Sequence, residues 1–176
     1  MNTLTWILQL AYFMLPAYFA NMAPILSRSF KRNVPLDFGL KFNGVRLLGD
    51  NKTLIGSIFG IIASVITAFV QFLVFQKYGF GFVDYNYWFT IGMLFGIGVI
   101  FGDASKSFFK RQMNIRPGRS WFPFDQIDFI IGSLIFISFF YFPGWVECIA
   151  IIIISAIGHI CVNHCAFYLG IRTEKW

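Results

Sequence analysis

The chain has 176 residues, of which 57% are hydrophobic and only 12% are charged, about half the charged fraction of a typical soluble domain. This composition excludes an ordinary soluble globular domain and indicates that lipid is the main solvent. The net charge of +6 does not indicate nucleic-acid binding, because the basic clusters alternate with apolar stretches long enough to cross a bilayer.

Five apolar segments predict an all-α integral membrane protein with five transmembrane helices in a single domain, residues 1–176. The predicted spans are residues 4–26, 53–76, 85–102, 128–142 and 147–170. Pro16 and Pro24 are expected to kink the first span or to end it early. Pro143-Gly144 is expected to reverse the chain between the last two spans.

Two polar segments, residues 27–52 and 103–127, lie between the spans and hold most of the basic residues. Six basic residues lie between positions 28 and 52, and five lie between positions 106 and 119. Basic loops remain on the cytoplasmic side of a membrane. We therefore expect both loops and the C-terminus inside and the N-terminus outside. The sequence does not fix the oligomeric state, and a homo-oligomer is one option.

The second polar segment carries an acid and two lysines with helical spacing. Asp103, Lys106 and Lys110 share one face if the third helix continues past the membrane surface. Carboxylates hold Mg²⁺ and lysines meet phosphate oxygens, so this face suits a magnesium–phosphate group. Lysines that extend along the membrane boundary toward water are the alternative explanation.

Asp125 and Asp128 form an acidic pair at the cytoplasmic start of the fourth span. Carboxylates at i and i+3 project together and repel each other unless a cation lies between them. Asp128 is also close to the apolar zone, where an unpaired carboxylate is costly. We interpret the pair as a metal site, with an N-cap and an acidic first turn as the alternative.

The end of the first polar segment has features of an anion-binding turn. Gly44 and Gly49 let backbone amides turn toward a ligand, and Arg46 and Lys52 would attract an anion at the start of the second span. A Walker loop is rejected, because extra residues separate Gly49 from Lys52 and no βαβ unit precedes them. A flexible connector is the alternative.

Cysteines and histidines in the last span raise the question of a zinc site. Cys161, His164 and Cys165 can share a helical face, but His159 and Cys161 cannot easily do so, and this spacing is a weak match to a zinc site. The odd number of cysteines at membrane depth also argues against a disulfide framework. We expect neither a zinc site nor a disulfide here.

Two motifs carry a resemblance to a known family. Gly102-Asp103-x-x-Lys106-Ser107-x-x-Lys110-Arg111, followed by Asp125-x-x-Asp128, resembles the membrane cytidylyltransferases that make CDP-activated lipids. With the run from Asn43 to Gly56, the chain is most similar to the archaeal CDP-archaeol synthase family. It departs from the CDP-diacylglycerol synthase signature at Gln126 and Arg116-Pro117, which favours the archaeal ether-lipid branch.

The resemblance implies transfer of CMP from CTP to an isoprenoid ether-lipid phosphate, 2,3-bis-O-geranylgeranylglycerol 1-phosphate, with release of pyrophosphate and a requirement for Mg²⁺. It implies a multi-pass cell-membrane enzyme with its active site on the cytoplasmic side. The expected partners are CTP, the lipid phosphate and membrane lipids, without nucleic acid. A polyprenol- or phytol-kinase-like phosphotransferase and a small membrane transporter are the alternatives.

The site residues expected from the motifs and the resemblance fall into three groups. The catalytic group is Lys106, Lys110, Asp125 and Asp128. The nucleotide-binding group is Asn43, Gly44, Arg46, Gly49, Asp50, Lys52, Thr53, Ser107 and Arg111. The metal-binding group is Asp103, Asp125 and Asp128.

Overall fold

A computed structural model describes residues 2–29, 34–115, 121–168 and 170, and this part of the chain is mainly α-helical. Its α-helices are α1 (Thr3–Phe13), α2 (Leu15–Met22), α3 (Leu54–Tyr78), α4 (Trp88–Gln112), α5 (Phe124–Ile137) and α6 (Trp145–Tyr168). Two 3-10 segments cover Ala23–Ser29 and Tyr85–Tyr87, and a small antiparallel hairpin pairs β1 (Lys41–Phe42) with β2 (Val45–Arg46). The predicted helical class is confirmed.

The first apolar segment is a bent pair of helices. α1 and the helical segment that follows it meet at 43°. Pro16 lies at the start of α2, where its missing N–H needs no partner and its ring has no preceding turn to clash with. The predicted kink therefore occurs at Pro16, while Pro24 lies within the 3-10 segment that continues the chain.

Helices α3 and α4 form the centre of the bundle and pack along a line of small residues. A Cβ on Gly92 would lie 2.6 Å from Val65 Cα, and a Cβ on Gly96 would lie 3.0 Å from Ile61 Cα. Glycine is therefore required for the backbones of α3 and α4 to approach this closely, as is common between membrane helices.

Helix α4 is longer than the predicted third span. It continues from residue 102 to Gln112, so the first part of the polar segment predicted at 103–127 is helical. Residues 103–112 include no glycine or proline, and Lys110 and Arg111 lie in the last turn, where basic side chains interact favourably with the helix dipole.

The last two helices start close to their predicted positions, but α5 is short. α5 has 14 residues and ends at Ile137, whereas the predicted fourth span ended at 142. Seven residues, 138–144, separate it from α6, and the last four of them, which include Pro143 and Gly144, have no regular structure. Helical structure is therefore interrupted at Pro143-Gly144, where the chain reversal was expected.

Three of the described helices, α3, α4 and α6, are long and apolar enough to cross a membrane, and the bent α1–α2 pair makes up to four. Their outer faces carry large apolar side chains, for example Ile58, Ile62 and Ile66, which are 48–58% exposed. Apolar exposure of this extent is stable in lipid and not in water. The chain is therefore a membrane protein, and the count of five spans stays a prediction.

Candidate active site

The polar site forms where the inner end of α4 meets the start of α5. A Cβ on Gly102 would collide with the backbone carbonyl of Asp128, and a Cβ on Gly98 would lie 2.7 Å from the carbonyl oxygen of Gly132. This close backbone contact aligns Asp103, the residue after Gly102, with the acidic first turns of α5. Asp103 therefore lies in one cluster with Asp125 and Asp128, although these residues are at least 22 positions away in the sequence.

Lys106 lies at the centre of that cluster. Its ammonium nitrogen is 2.7 Å from Asp128 Oδ2, 3.1 Å from Asp125 Oδ1 and 3.5 Å from Asp103 Oδ1. The side chains of Lys106 and Asp128 are only 15% and 7% exposed. One ammonium therefore balances carboxylates that would otherwise repel each other in a poorly solvated place.

Two further lysines complete the network. Lys52, from the first polar segment, pairs with Asp103. Lys110 Nζ is 3.2 Å from both carboxylate oxygens of Asp125. Asp125 also accepts a hydrogen bond of 2.6 Å from the backbone N–H of Trp121, which fixes the entry to α5. Lys52 therefore joins the two polar segments.

The first polar segment folds around a buried acid, Asp37, that the sequence analysis missed. Arg46 binds it through Nη2 at 2.7 Å and Nε at 3.2 Å, and the backbone amides of Gly39, Leu48 and Gly49 also donate to it. Arg46 first, and then these amides, hold the pKa of Asp37 well below its ordinary value, although burial raises it. In the sequence, the role of Asp37 is indicated only by its position as a single acid in Leu36-Asp37-Phe38-Gly39, before a basic hairpin.

The structure gives the other predicted nucleotide-binding residues different positions. Thr53 accepts a hydrogen bond from Gly56 N at 3.2 Å and caps α3. Asn43 and Gly44 form the exposed turn of the hairpin, both with positive φ. Ser107 is buried in α4, and Asp50 is an exposed partner of Arg46 Nη1 at 2.9 Å.

Arg111 brings the end of α4 next to the first polar segment. Its Nε lies 3.9 Å from the position that a Cβ on Gly49 would occupy. Arg111 Nη1 donates to the carbonyl oxygen of Ile115 at 2.8 Å, while Nε is buried without a hydrogen-bond partner in the described part of the chain. Arg116 and Pro117, where the sequence departs from the CDP-diacylglycerol synthase signature, lie outside the described residues.

The carboxylates of Asp103, Asp125 and Asp128 suit a hard cation, since oxygen donors are the ligands that Mg²⁺ prefers. All three converge on the Lys106 ammonium, which marks the point where positive charge is stabilised. Across residues 2–29, 34–115, 121–168 and 170, no group of three or more His, Cys, Asp or Glu side chains is already arranged around a metal position. The three carboxylates are therefore suitable ligands for Mg²⁺, and in this structure the Lys106 ammonium lies at the point that they share.

Comparisons with known proteins identify a family for the chain. The family model described as CarS-like CDP-archaeol synthase matches residues 3–176. The CDP-archaeol synthase of Methanococcus aeolicus is 34% identical over 169 residues, with 93% of each chain covered. That of Thermofilum pendens is 36% identical over 168 residues, covering 92% of this chain and 78% of the relative.

One solved protein structure has a similar fold. It is described as an intramembrane enzyme for archaeal membrane lipids biosynthesis, and it matches with a TM-score of 0.76 and 28% sequence identity. The match covers 89% of this chain and 94% of the solved chain. The resemblance seen in the polar motifs is confirmed, and the chain belongs to the CDP-archaeol synthase family.

Proposed function

We propose that the chain transfers CMP from CTP to 2,3-bis-O-geranylgeranylglycerol 1-phosphate, forming a CDP-archaeol-type lipid and pyrophosphate. Membership of the family makes the chain a CTP-dependent cytidylyltransferase, which disfavours the kinase-like and transporter alternatives. The observation that carries the proposal is the ionic network of Lys52, Lys106 and Lys110 with the three aspartates. The network brings positive and negative side chains together at the C-terminal part of α4 and the first turns of α5.

The reaction needs charge neutralisation and alignment more than acid–base chemistry. A lipid phosphate oxygen, already ionised at neutral pH, forms a bond to the α-phosphorus of CTP. The bond from that phosphorus to the bridging oxygen breaks, and its electron pair leaves with pyrophosphate. No general base is required, so a site of lysines and carboxylates without histidine is sufficient.

The residues of the network divide between the two kinds of charge. Asp103, Asp125 and Asp128 would hold Mg²⁺, which supplies neutralisation of the triphosphate when it is bound. Lys106, Lys110 and Arg111 on α4 would bind phosphate oxygens. Arg46 and Lys52 would bind phosphate from the facing segment, with Asn43, Gly44, Gly49, Asp50, Thr53 and Ser107 shaping the nucleotide pocket.

The exchange of partners within the network links these roles. In the described residues each of Lys52, Lys106 and Lys110 pairs with at least one of the three aspartates. A lysine that turns to a phosphate oxygen leaves its carboxylate available to a cation. The network is therefore a neutral resting arrangement, and its lysines and aspartates take new partners together.

The bilayer would deliver the lipid to this end of the bundle. We infer five crossings, with the N-terminus outside and both polar segments in the cytoplasm, as the distribution of basic residues favours. α5 has 14 residues and is about 21 Å long at about 1.5 Å per residue, so residues 138–142 would complete its crossing. The isoprenoid chains would lie along the exposed apolar faces while the phosphate reaches the lysines.

The test is an assay of purified protein with labelled CTP and a panel of lipid phosphates. We expect pyrophosphate and a CDP-lipid with the isoprenoid ether phosphate. Asp125→Asn or Asp128→Asn should lower turnover by at least about 100-fold, because a ligand of the Mg²⁺ that neutralises charge at the reacting centre is lost. Asp84→Asn, at the opposite end of the bundle, is the control.

Three results would contradict the proposal. Release of CDP with a phosphorylated lipid would show terminal phosphoryl transfer. Wild-type rates in both aspartate variants would remove the metal assignment. Equal turnover of ester and ether lipid phosphates would remove the lipid assignment and leave the cytidylyl transfer in place.

A further inference from the structure

Asp37 is outside every residue group that the motifs assigned to the site, yet its carboxylate is the centre of the first polar segment. The side chain is 1% exposed. It accepts hydrogen bonds from Arg46 Nη2 and Nε at 2.7 and 3.2 Å. The amides of Gly39, Leu48 and Gly49 donate to it at 3.0, 2.9 and 3.2 Å. A buried carboxylate with this many donors holds them in one geometry.

The carboxylate takes one edge of the Arg46 guanidinium and leaves the other edge accessible. Nε and Nη2 are engaged by Asp37, whereas Nη1 is 2.9 Å from Asp50, whose side chain is 82% exposed. An exposed ion pair between residues i and i+4 contributes little free energy. The Asp37 pair is therefore the fixed contact, and the Asp50 pair is easily exchanged for another anion.

The same segment also sets the position of Lys52. The backbone N–H of Leu36 donates to the carbonyl oxygen of Lys52 at 2.7 Å, and Leu54 N–H donates to Val34 at 2.9 Å. Lys52 in turn pairs with Asp103. Gly49, held by Asp37, lies against Arg111. The buried acid thus organises the side of the pocket that faces α4.

We propose that Asp37 is a positioning residue for nucleotide binding, which fixes the guanidinium of Arg46 so that Nη1 meets a phosphate oxygen of CTP in place of Asp50. The inference rests on the proposed function, in which Arg46 binds the triphosphate. Asp37 itself contacts no substrate and acts only through Arg46 and the amides that it holds.

The test measures CTP binding to the purified full-length chain by equilibrium dialysis without lipid. Asp37→Asn and Arg46→Gln should each weaken CTP binding by about tenfold or more, the loss expected for a charged hydrogen bond. The double variant should bind no more weakly than Arg46→Gln alone, because Asp37 acts through Arg46. Asp84→Asn, whose carboxylate also accepts a backbone hydrogen bond in a loop, should bind CTP as the wild type does.

Steady-state kinetics separate positioning from a general loss of structure. In Asp37→Asn the KM for CTP should rise while kcat changes little, because the residues around the α-phosphorus remain in place. Arg46→Lys leaves Asp37 intact and keeps the charge, but lysine lacks the planar fork that Asp37 orients. It should therefore lose CTP affinity nearly as much as Arg46→Gln.

The possible outcomes distinguish the inference from the proposed function. Wild-type CTP binding in Asp37→Asn, with weakened binding in Arg46→Gln, overturns the inference alone. Losses that multiply in the double variant do the same, as does wild-type binding in Arg46→Lys. Wild-type binding in Arg46→Gln overturns the assignment of Arg46 to the triphosphate and the inference with it.

Discussion

Lys106 illustrates how a single side chain decides the state of the site. Its ammonium lies within 3.5 Å of oxygens from three aspartates. Paired carboxylates in a motif indicate a cation, but the motif cannot say whether that cation is a metal ion or a lysine of the same chain. In the structure it is Lys106, which would compete with any metal ion for the same oxygens.

That competition predicts opposite effects of Lys106→Met on two ligands. Without the ammonium the carboxylates repel each other, so Mn²⁺ should bind more tightly in the absence of nucleotide and should raise Tm more than in the wild type. CTP should bind at least about tenfold more weakly, because a phosphate partner is lost. Lys77→Met, outside the cluster, is the control, and unchanged Mn²⁺ affinity in Lys106→Met would contradict the competition.

Asp37 predicts a pH dependence of stability. Its pKa is lower in the folded chain than in the unfolded chain, so the charged form stabilises the fold at pH values above the unfolded pKa of about 3.9. The Tm advantage of the wild type over Asp37→Asn should be constant near neutral pH. It should shrink as the pH falls below about 4. A Tm difference that grows in acid would show that the protonated form is the stabilising one.

At the scale of elements, the contact between α4 and α5 creates the site. Gly102 lets the backbones meet where Asp103 and Asp128 must share one lysine. Glycines at helix contacts are visible in the sequence, but which helix each one faces is not, because α3 and α5 both pack on α4. The helical continuation to Gln112 then places Lys106 and Lys110 on the face toward α5.

Gly102→Ala should separate these helices and disturb the cluster. Its Cβ would meet the backbone of Asp128, which cannot yield as a flexible side chain does, so we expect a loss of about 1–3 kcal/mol of stability together with reduced turnover. Gly158→Ala in α6 is a matched control, since its Cβ would meet nothing within 4 Å. Thermal unfolding in detergent measures both, and equal Tm values would contradict the packing argument.

At the scale of the whole molecule, the positions of the loops relative to the bilayer decide whether the proposed pocket exists. Lys52 belongs to the first polar segment and Lys110 to the second. The two segments meet where Lys52 pairs with Asp103, so both must lie on one side of the membrane. The turn around Asp84, between α3 and α4, must lie on the other side if α3 and α4 both cross.

Cysteine labelling in a background without Cys148, Cys161 and Cys165 tests this topology. Cysteines placed at Asn51 and Asn114, both exposed, should react from the same side, and one at Asp84 should react from the opposite side. Phe139 is 80% exposed. A cysteine placed there should be labelled from the same side of the membrane as the cysteine at Asp84 if α5 crosses the bilayer. Labelling of the cysteine at Phe139 from the same side as the cysteine at Asn114 would reduce the count of membrane spans to four.

Much of the architecture depends on local patterns and was therefore predictable. Long apolar stretches require helices in lipid, Pro16 ends α1 because proline cannot continue a helix, and Pro143-Gly144 interrupts the chain before α6. The acids and lysines of the second segment were found for the same reason, since they lie within helical spacings of one another. The short end of α5 was missed because apolarity does not mark where a buried helix stops.

The amino-acid sequence by itself determined the membrane class, the helical segments, the family and the identity of the charged residues, because each of these depends on residue type and short spacing. Only the tertiary structure decided which charges neutralise each other. Lys52 pairs with Asp103, which is 51 positions away in the sequence. The buried carboxylate of Asp37 accepts hydrogen bonds from Arg46, Leu48 and Gly49. Such pairings follow from how helix backbones and loops pack in three dimensions, and no periodicity along the chain encodes them.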